Sequence, residues 1–304
     1  MTDEAPRRRH VYGGQAVVEG VMMRGRDVWA VAVRRPDGSI HVESHDIRSI
    51  ADRVPALRAP GIRGVIALGQ ALTIGVRALS ISANQASPED VQLSSGQMAL
   101  SMTVAFALFV AVFIVAPAIA FRWVGHRVGS GLVVNLLEGV FRIGLFLAYL
   151  VVIGRTREIR RVFQYHGAEH KTIAAYEHDE PLVPQAVDRY STLHVRCGTN
   201  FLLIVMVVAI LVFALFGNPG IWWRIGSRIV AIPIIAGLAF EVLRLGARFE
   251  GSAFMRALMA PGLWLQKITT RAPSTDQIEV AIASFGEVLR READRPAAGS
   301  GAGV

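Results

Sequence analysis

His166 and His170 stand four residues apart in YHGAEHKT (165–172), with Glu169 directly before the second histidine. On a helix this spacing puts both imidazoles on one face, one turn apart, where they can share a metal ion. The order H-x-x-E-H is the inverted zincin pattern, in which the glutamate is the general base for water activated by the metal. A second group, His194 and Cys197, lies in LHVRCGTN (193–200). His-x-x-Cys is a workable ligand spacing for Zn²⁺ or Fe²⁺. Two histidines with one or both of His194 and Cys197 leave a coordination position for water, as a catalytic centre requires.

The expected centre is a divalent ion, Zn²⁺ before Fe²⁺, on His166, His170, His194 and Cys197. Glu169 is the expected general base, and Lys171 or Arg196 the stabiliser of developing negative charge. Soluble inverted zincins take a distant glutamate as third ligand. Glu241 and Glu250 are available for that part, and nothing in the sequence selects either. The competing reading makes the histidines surface residues that meet lipid phosphates beside the nearby arginines.

Three other clusters weigh less. In GGQAVVEGVMMRG (13–25) the glycines bring backbone close to a ligand, or bound a buried strand with turns at both ends. His41, Glu43 and His45 alternate along a strand and share one face, opposite Ile40 and Val42, which reads as a solvated hairpin face. Asn135, Glu138 and Arg142 share one face of an apolar segment. Ionisable groups in a membrane are a functional hypothesis by default, but Glu138 and Arg142 form an i,i+4 pair that can neutralise itself inside a bundle. A transporter would rest on these two residues alone, without the paired Gly/Pro-interrupted spans expected of one.

The elements that must position these residues are mostly apolar. The chain has 304 residues, 52% apolar and 18% charged, against about 25% charged in an average soluble domain. Its net charge of +8 is arginine-driven, since the lysines are Lys171 and Lys267 alone. The arginines flank apolar runs, and the cluster Arg7–Arg9 is short, so a membrane is expected as partner and nucleic acid is not. The single cysteine excludes an intramolecular disulfide and fits a reducing compartment. No apolar region follows the basic start, so no cleavable signal is expected.

Four apolar runs, 98–121, 132–153, 200–216 and 229–245, approach the roughly 20 residues needed to span a bilayer. Arginines crowd the first 60 residues, the loop 154–199 and the C-terminal tail, so the positive-inside rule puts all three in the cytosol. Residues 62–84 carry Arg63, Gln70, Thr73, Arg77, Ser80 and Asn84 on one narrow stripe, which fits an in-plane interfacial helix. A fifth span also fits those residues, but it would leave an arginine-rich segment outside. VWAVAV (28–33) and SIHVES (39–44) around RRPDGS read as a β-hairpin. An amphipathic stretch follows near 276–291, and the end of the chain, from Arg295, reads as disordered.

The expected organisation is a cytosolic β-rich region (1–61), an amphipathic interfacial helix with linker (62–96), a first pair of transmembrane helices (97–153), a cytosolic metal-motif loop (154–199), a second pair (200–248) and a cytosolic tail (249–304).

Together, GGQAVVEGVMMRG, YHGAEHKTIAAYE and RCGTNFLL resemble the YqhQ family of bacterial membrane proteins, a domain of unknown function described as predicted metal-dependent enzymes. The resemblance runs from about residue 10 to residue 270. Where that family usually reads His-Pro-Arg-Cys-Gly-Thr-Ser-Phe, this chain carries Val195 and Asn200 and keeps His194 and Cys197. The resemblance implies a membrane setting and supports the metal site, and names no substrate.

The expectation is therefore an α-helical integral membrane protein of the bacterial plasma membrane, multi-pass, with both termini cytosolic. Its expected function is metal-dependent and hydrolytic, on a membrane-associated substrate. The alternative is a non-enzymatic adaptor or sensor with a structural metal clip, closed by four ligands rather than open to water. Oligomeric state is not legible.

Overall fold

A computed structural model describes residues 12–47, 54, 59, 61–88, 91–92, 94–128, 130–194, 197–216, 220–248 and 253–295. Of the stretch expected to be disordered from Arg295, Arg295 itself is described and pairs with Asp46, and residues 296–304 lie outside the described residues, as do Arg196 and Glu250.

The N-terminal part is a four-stranded antiparallel meander: β1 (Gly13–Val17), β2 (Gly20–Arg24), β3 (Val28–Arg34) and β4 (Ile40–Asp46), in that spatial order. The hairpin expected around RRPDGS is β3–β4. Gly38 takes its positive φ of 85°, and the Asp37 carboxylate accepts from the Ser39 N–H at 2.9 Å. The glycine-rich stretch forms a second hairpin, β1–β2. Its turn residue Glu19 has a φ of 50°, a left-handed conformation that costs a non-glycine residue roughly 1–2 kcal/mol. Arg161 and the Tyr165 hydroxyl both hold the Glu19 carboxylate, fixing this turn to a helix far along the chain.

Both faces of the sheet are covered. Val21, Met23, Ala30 and Ala32 pack against α5 (Arg157–Glu177) and α10 (Thr275–Ala293) through Tyr165, Ala168, Phe285 and Val288. The alternate residues Val17, Met22, Trp29, Val31 and Val33 pack under Ile74 and Ala78 of α1 (Ile62–Gln85). An antiparallel sheet commonly leaves one face wet. Here neither is, which is why VWAVAV is apolar at every position. For the same reason His41, Glu43 and His45 do not lie on a solvated face. They are half-buried on the α1 side, with Glu43 between His45 (2.7 Å) and His41 (3.6 Å).

The remaining helices form an apolar bundle: α2 (Ser95–Val110), α3 (Ala116–Val128), α4 (Gly131–Ile153), α7 (Gly198–Ala214), α8 (Ile221–Arg248) and α9 (Ala253–Thr269), with the short α6 (Pro184–Val187) beside α5. A π-helical turn, Ala111–Val115, joins α2 to α3 directly before Pro117. Proline removes a helical N–H and crowds the carbonyl four residues back, and widening the preceding turn relieves that. Glu138 is buried between Arg142 (2.6 Å) and Arg228 (2.8 Å). Arg142 was expected as its partner; Arg228, from a different helix, was not.

Among the described residues, four helices are long and apolar enough to cross a membrane: Ile62–Gln85, Gly96–Phe121, Gly131–Ile153 and Ile225–Leu243. The number matches the expectation, and the membership differs. Helix α1 qualifies by length and composition. Helix α7 is apolar but has 17 residues, about 26 Å of helix against a hydrocarbon core of ~30 Å.

Candidate metal centre

Helix α5 carries YHGAEHKT in its middle. Thr156 caps its start, accepting from the Ile159 N–H at 3.4 Å, and Glu158 suits the positive end of the dipole. The Arg271 carbonyl oxygen lies against Gly167, where a side chain would collide with it. Gly167 therefore lets the segment after α9 run directly over the helix between the two histidines, and the Arg271 N–H donates to the Phe163 carbonyl at 2.9 Å.

This packing orients both imidazoles. His166 Nδ1 lies 2.9 Å from the Thr269 carbonyl oxygen, at the end of α9. His170 Nδ1 lies 2.6 Å from the Thr192 carbonyl oxygen. A carbonyl can only accept, so each Nδ1 carries the proton and each Nε2 presents a lone pair. This is the outer hydrogen-bond pattern of metal-ligating histidine. His170 Nε2 is buried and has no hydrogen-bond partner. His166 Nε2 is 3.3 Å from Cys197 Sγ. The ring centroids of His166 and His170 are 4.3 Å apart. One ligand atom from each of His166, His170 and Cys197 lies within 4.8 Å of the others.

Cys197 is the N-cap of α7. Its sulfur accepts from the Thr199 hydroxyl at 3.3 Å and N–H at 3.5 Å, and the helix N-terminus favours negative charge there. In a tetrahedral zinc site, bond lengths of about 2.3 Å to sulfur and 2.0–2.1 Å to nitrogen give an N···S separation of about 3.5 Å. The 3.3 Å between His166 and Cys197 is close to that. An orphaned buried imidazole nitrogen, two carbonyl-oriented histidines and a capped sulfur fit a divalent, zinc-like ion.

The other expected residues are placed as follows. His194 is buried beside His170, ring centroids 5.7 Å apart, and its Nε2 meets Glu177 at 3.1 Å. Lys171 is one residue past His170, a turn of about 100° on the helix, and its ammonium goes to the Asp188 carboxylate at 2.8 Å and to the Asp188 carbonyl. Glu241 pairs with Arg63 and accepts from the Gly61 N–H, at the contact of α8 with α1. Glu169 is buried, with its carboxyl packed close against the backbone of Gly14 in β1. Burial pushes its carboxyl up to about 7, against the lowering effects of His166 and the Gly14 backbone.

Sequence reasoning missed the supporting groups. Gln266 of α9 clamps the His194 backbone reciprocally: His194 N–H to Gln266 Oε1 at 2.9 Å, and Gln266 Nε2 to the His194 carbonyl at 2.8 Å. Thr192, Thr269, Glu177 and Gly14 complete the shell. The glycines at 13–14 were the legible signal, since they marked a close backbone approach without saying to what.

Residues 59–291 match a family described as "Protein of unknown function (DUF1385)". The chain is 36% identical over 301 residues to "Uncharacterized protein YqhQ" of Bacillus subtilis (strain 168), a match covering 93% of each chain. No solved structure matches.

Proposed function

The chain belongs to the DUF1385 family, and from that premise we propose that it is a membrane-embedded, metal-dependent hydrolase working at the cytosolic face on a membrane-associated substrate. One observation carries the reading: a ligand atom each of His166, His170 and Cys197 lies within 4.8 Å of the others, His166 Nε2 is 3.3 Å from Cys197 Sγ, and both Nδ1 atoms are committed to backbone carbonyls. Three protein ligands are the number that leaves a catalytic centre open. A bound divalent ion would supply Lewis-acid activation of water.

The chain's own residues account for the rest. His166, His170 and Cys197 hold the ion, and the Thr269 and Thr192 carbonyls keep the imidazoles in the ligating tautomer. Glu169, one turn after His166 on the same side of α5 and pushed up to about 7, is suited to accept and return a proton near neutral pH. Gly14 fixes where that carboxyl sits. Lys171, occupied by Asp188, acts in this reading as a tie between α5 and α6, not as a charge stabiliser.

The bilayer supports the same picture. Leu100, Val104, Phe106 and Leu108 on α2, and Val140 and Val152 on α4, are exposed apolar side chains. Trp123, Trp222 and Trp223 lie at the α3–α4 and α7–α8 ends of the bundle, at 75%, 84% and 67% exposure, where an aromatic belt belongs. With α2–α3, α4, α7 and α8 crossing and α1 lying in plane against the sheet, both termini and α5 are cytosolic.

Metal analysis of the purified full-length chain tests the site. The expected content is about one Zn²⁺ or Fe²⁺ per chain, by ligand softness. The His166→Ala, His170→Ala double variant should lose it. A folded double variant with full metal content would move the site elsewhere.

A further inference from the structure

Arg24, Trp29 and His45 form one row across three strands, since Arg24 pairs with Trp29 and Trp29 with His45. Directly opposed residues share a face. Trp29 packs under α1, so the row faces that helix. Over it, α1 presents Gln70, Thr73 and Arg77. Between them lies a cavity of about 480 Å³, walled by Trp29, His45, Gln70, Thr73 and Arg77 among others. That volume is within the range of small-molecule sites, roughly 300–1,000 Å³.

The cavity is rich in fixed donors. The Arg77 guanidinium lies over the Trp29 ring at 5.8 Å and reaches His45 Nδ1 at 3.2 Å. Arg24, half-buried, flanks the cavity and donates to Gln70 Oε1 at 2.6 Å. Among the described residues no carboxylate pairs with Arg24 or Arg77. Arg24 is half-buried, and a charged group taken partly out of water is ordinarily paired; Arg77 is exposed. The acids nearby are already engaged: Asp46, also in the wall, by Arg291 at 2.9 Å and by Arg295, and Glu43 by His45. Two guanidiniums without carboxylates make the cavity electropositive, and the guanidinium fork matches phosphate oxygens. Leu72 and Val76, exposed on α1, follow the helix beside Thr73 and Arg77 and give an apolar ledge at that helix's surface.

We infer that this cavity is a phosphate-binding site, which takes the phosphate of a lipid headgroup or of a soluble phosphorylated compound. It lies across the sheet from the metal centre: Gly14, against Glu169, pairs with Met23 of the α5-side core, whereas the cavity is on the α1 side. Its occupation does not depend on the metal reading.

Native mass spectrometry of the full-length chain in detergent tests this with three probes: dioctanoyl phosphatidic acid, inorganic phosphate and phosphate-free dioctanoylglycerol. One equivalent of the phosphatidic acid should bind, and the glycerolipid should not. Arg77→Gln removes an exposed cation. Thr73→Phe fills the space and keeps every charge. Each should weaken binding about tenfold or more, as expected for losing a charge-assisted hydrogen bond or its room, with the ligand-free melting temperature unchanged. Displacement of the lipid by inorganic phosphate would support a soluble source. Resistance to it would support a headgroup whose acyl chains contribute. Equal binding of dioctanoylglycerol, no single-equivalent binding of either phosphate probe, or undiminished affinity in both variants would overturn the assignment.

Discussion

The backbone of Gly14 in β1 lies directly against the buried carboxyl of Glu169 on α5. A Cβ at Gly14 would stand 2.6 Å from the Met22 carbonyl oxygen and 2.9 Å from the Glu169 carboxyl carbon. The glycine-rich hairpin and the histidine helix, about 150 residues apart in sequence, thus meet at the residue assigned to proton transfer. Gly14→Ala should destabilise the chain by about 1–3 kcal/mol, the usual cost of overpacking. It should retain metal, since none of the three ligating atoms is touched. Thermal unfolding and metal content of the purified variant check both, and an unshifted melting temperature would show that the approach is looser than described.

Cys197 and His194 should separate. Cys197→Ser replaces a soft ligand in contact with His166 and should cut metal content sharply. His194→Ala removes a group whose Nε2 is taken by Glu177. It should leave stoichiometry near one, with affinity falling at most about 10–100-fold, as outer-shell losses do. Titration of both variants with Zn²⁺ against a competing chelator measures this, and the reverse order would put His194 in the ligand set.

Gln266 has no side-chain role in the metal set, yet it should matter. Gln266→Leu would leave the buried His194 N–H unpaired and its carbonyl with only the Cys197 N–H at 3.4 Å, a cost of about 1–3 kcal/mol for the unsatisfied donor. A lowered melting temperature with weakened metal binding is expected. Wild-type stability would mean that the loop is held by other contacts.

Some of this was legible in the sequence. The i,i+4 histidines needed only helical periodicity, and the hairpin around Pro36-Asp37-Gly38 needed only turn chemistry. Apolar length identified membrane-compatible helices, but it separates α1 and α7 poorly: α1 is long and apolar enough to cross, and α7 has only 17 residues. The orienting carbonyls of Thr192 and Thr269 are backbone groups and have no residue signature. Gln266 and Gly14 act across long sequence separations, where neither spacing nor propensity points. The Lys171 tie to Asp188 had no signal either, since residue type and spacing did not point to a partner 17 residues on.

Topology has a direct check. A reporter active only in the cytosol should work when fused to the C-terminus and stay silent in the 122–131 segment, which runs from the last turns of α3 to the start of α4. Activity at 122–131 with silence at the C-terminus would invert the assignment and remove α5 from the cytosolic face.

Glu169→Gln tests the central claim most directly. Glutamine keeps the shape and the fit against Gly14, and removes only the capacity to take a proton, worth about 10²–10⁴ in rate for such a group. The readouts are metal content, melting temperature and rescue of a deletion strain. The account predicts wild-type metal, unchanged or slightly higher stability because a buried carboxyl is gone, and failed rescue. Full rescue with unchanged metal would contradict it and leave His166, His170 and Cys197 as a structural clip.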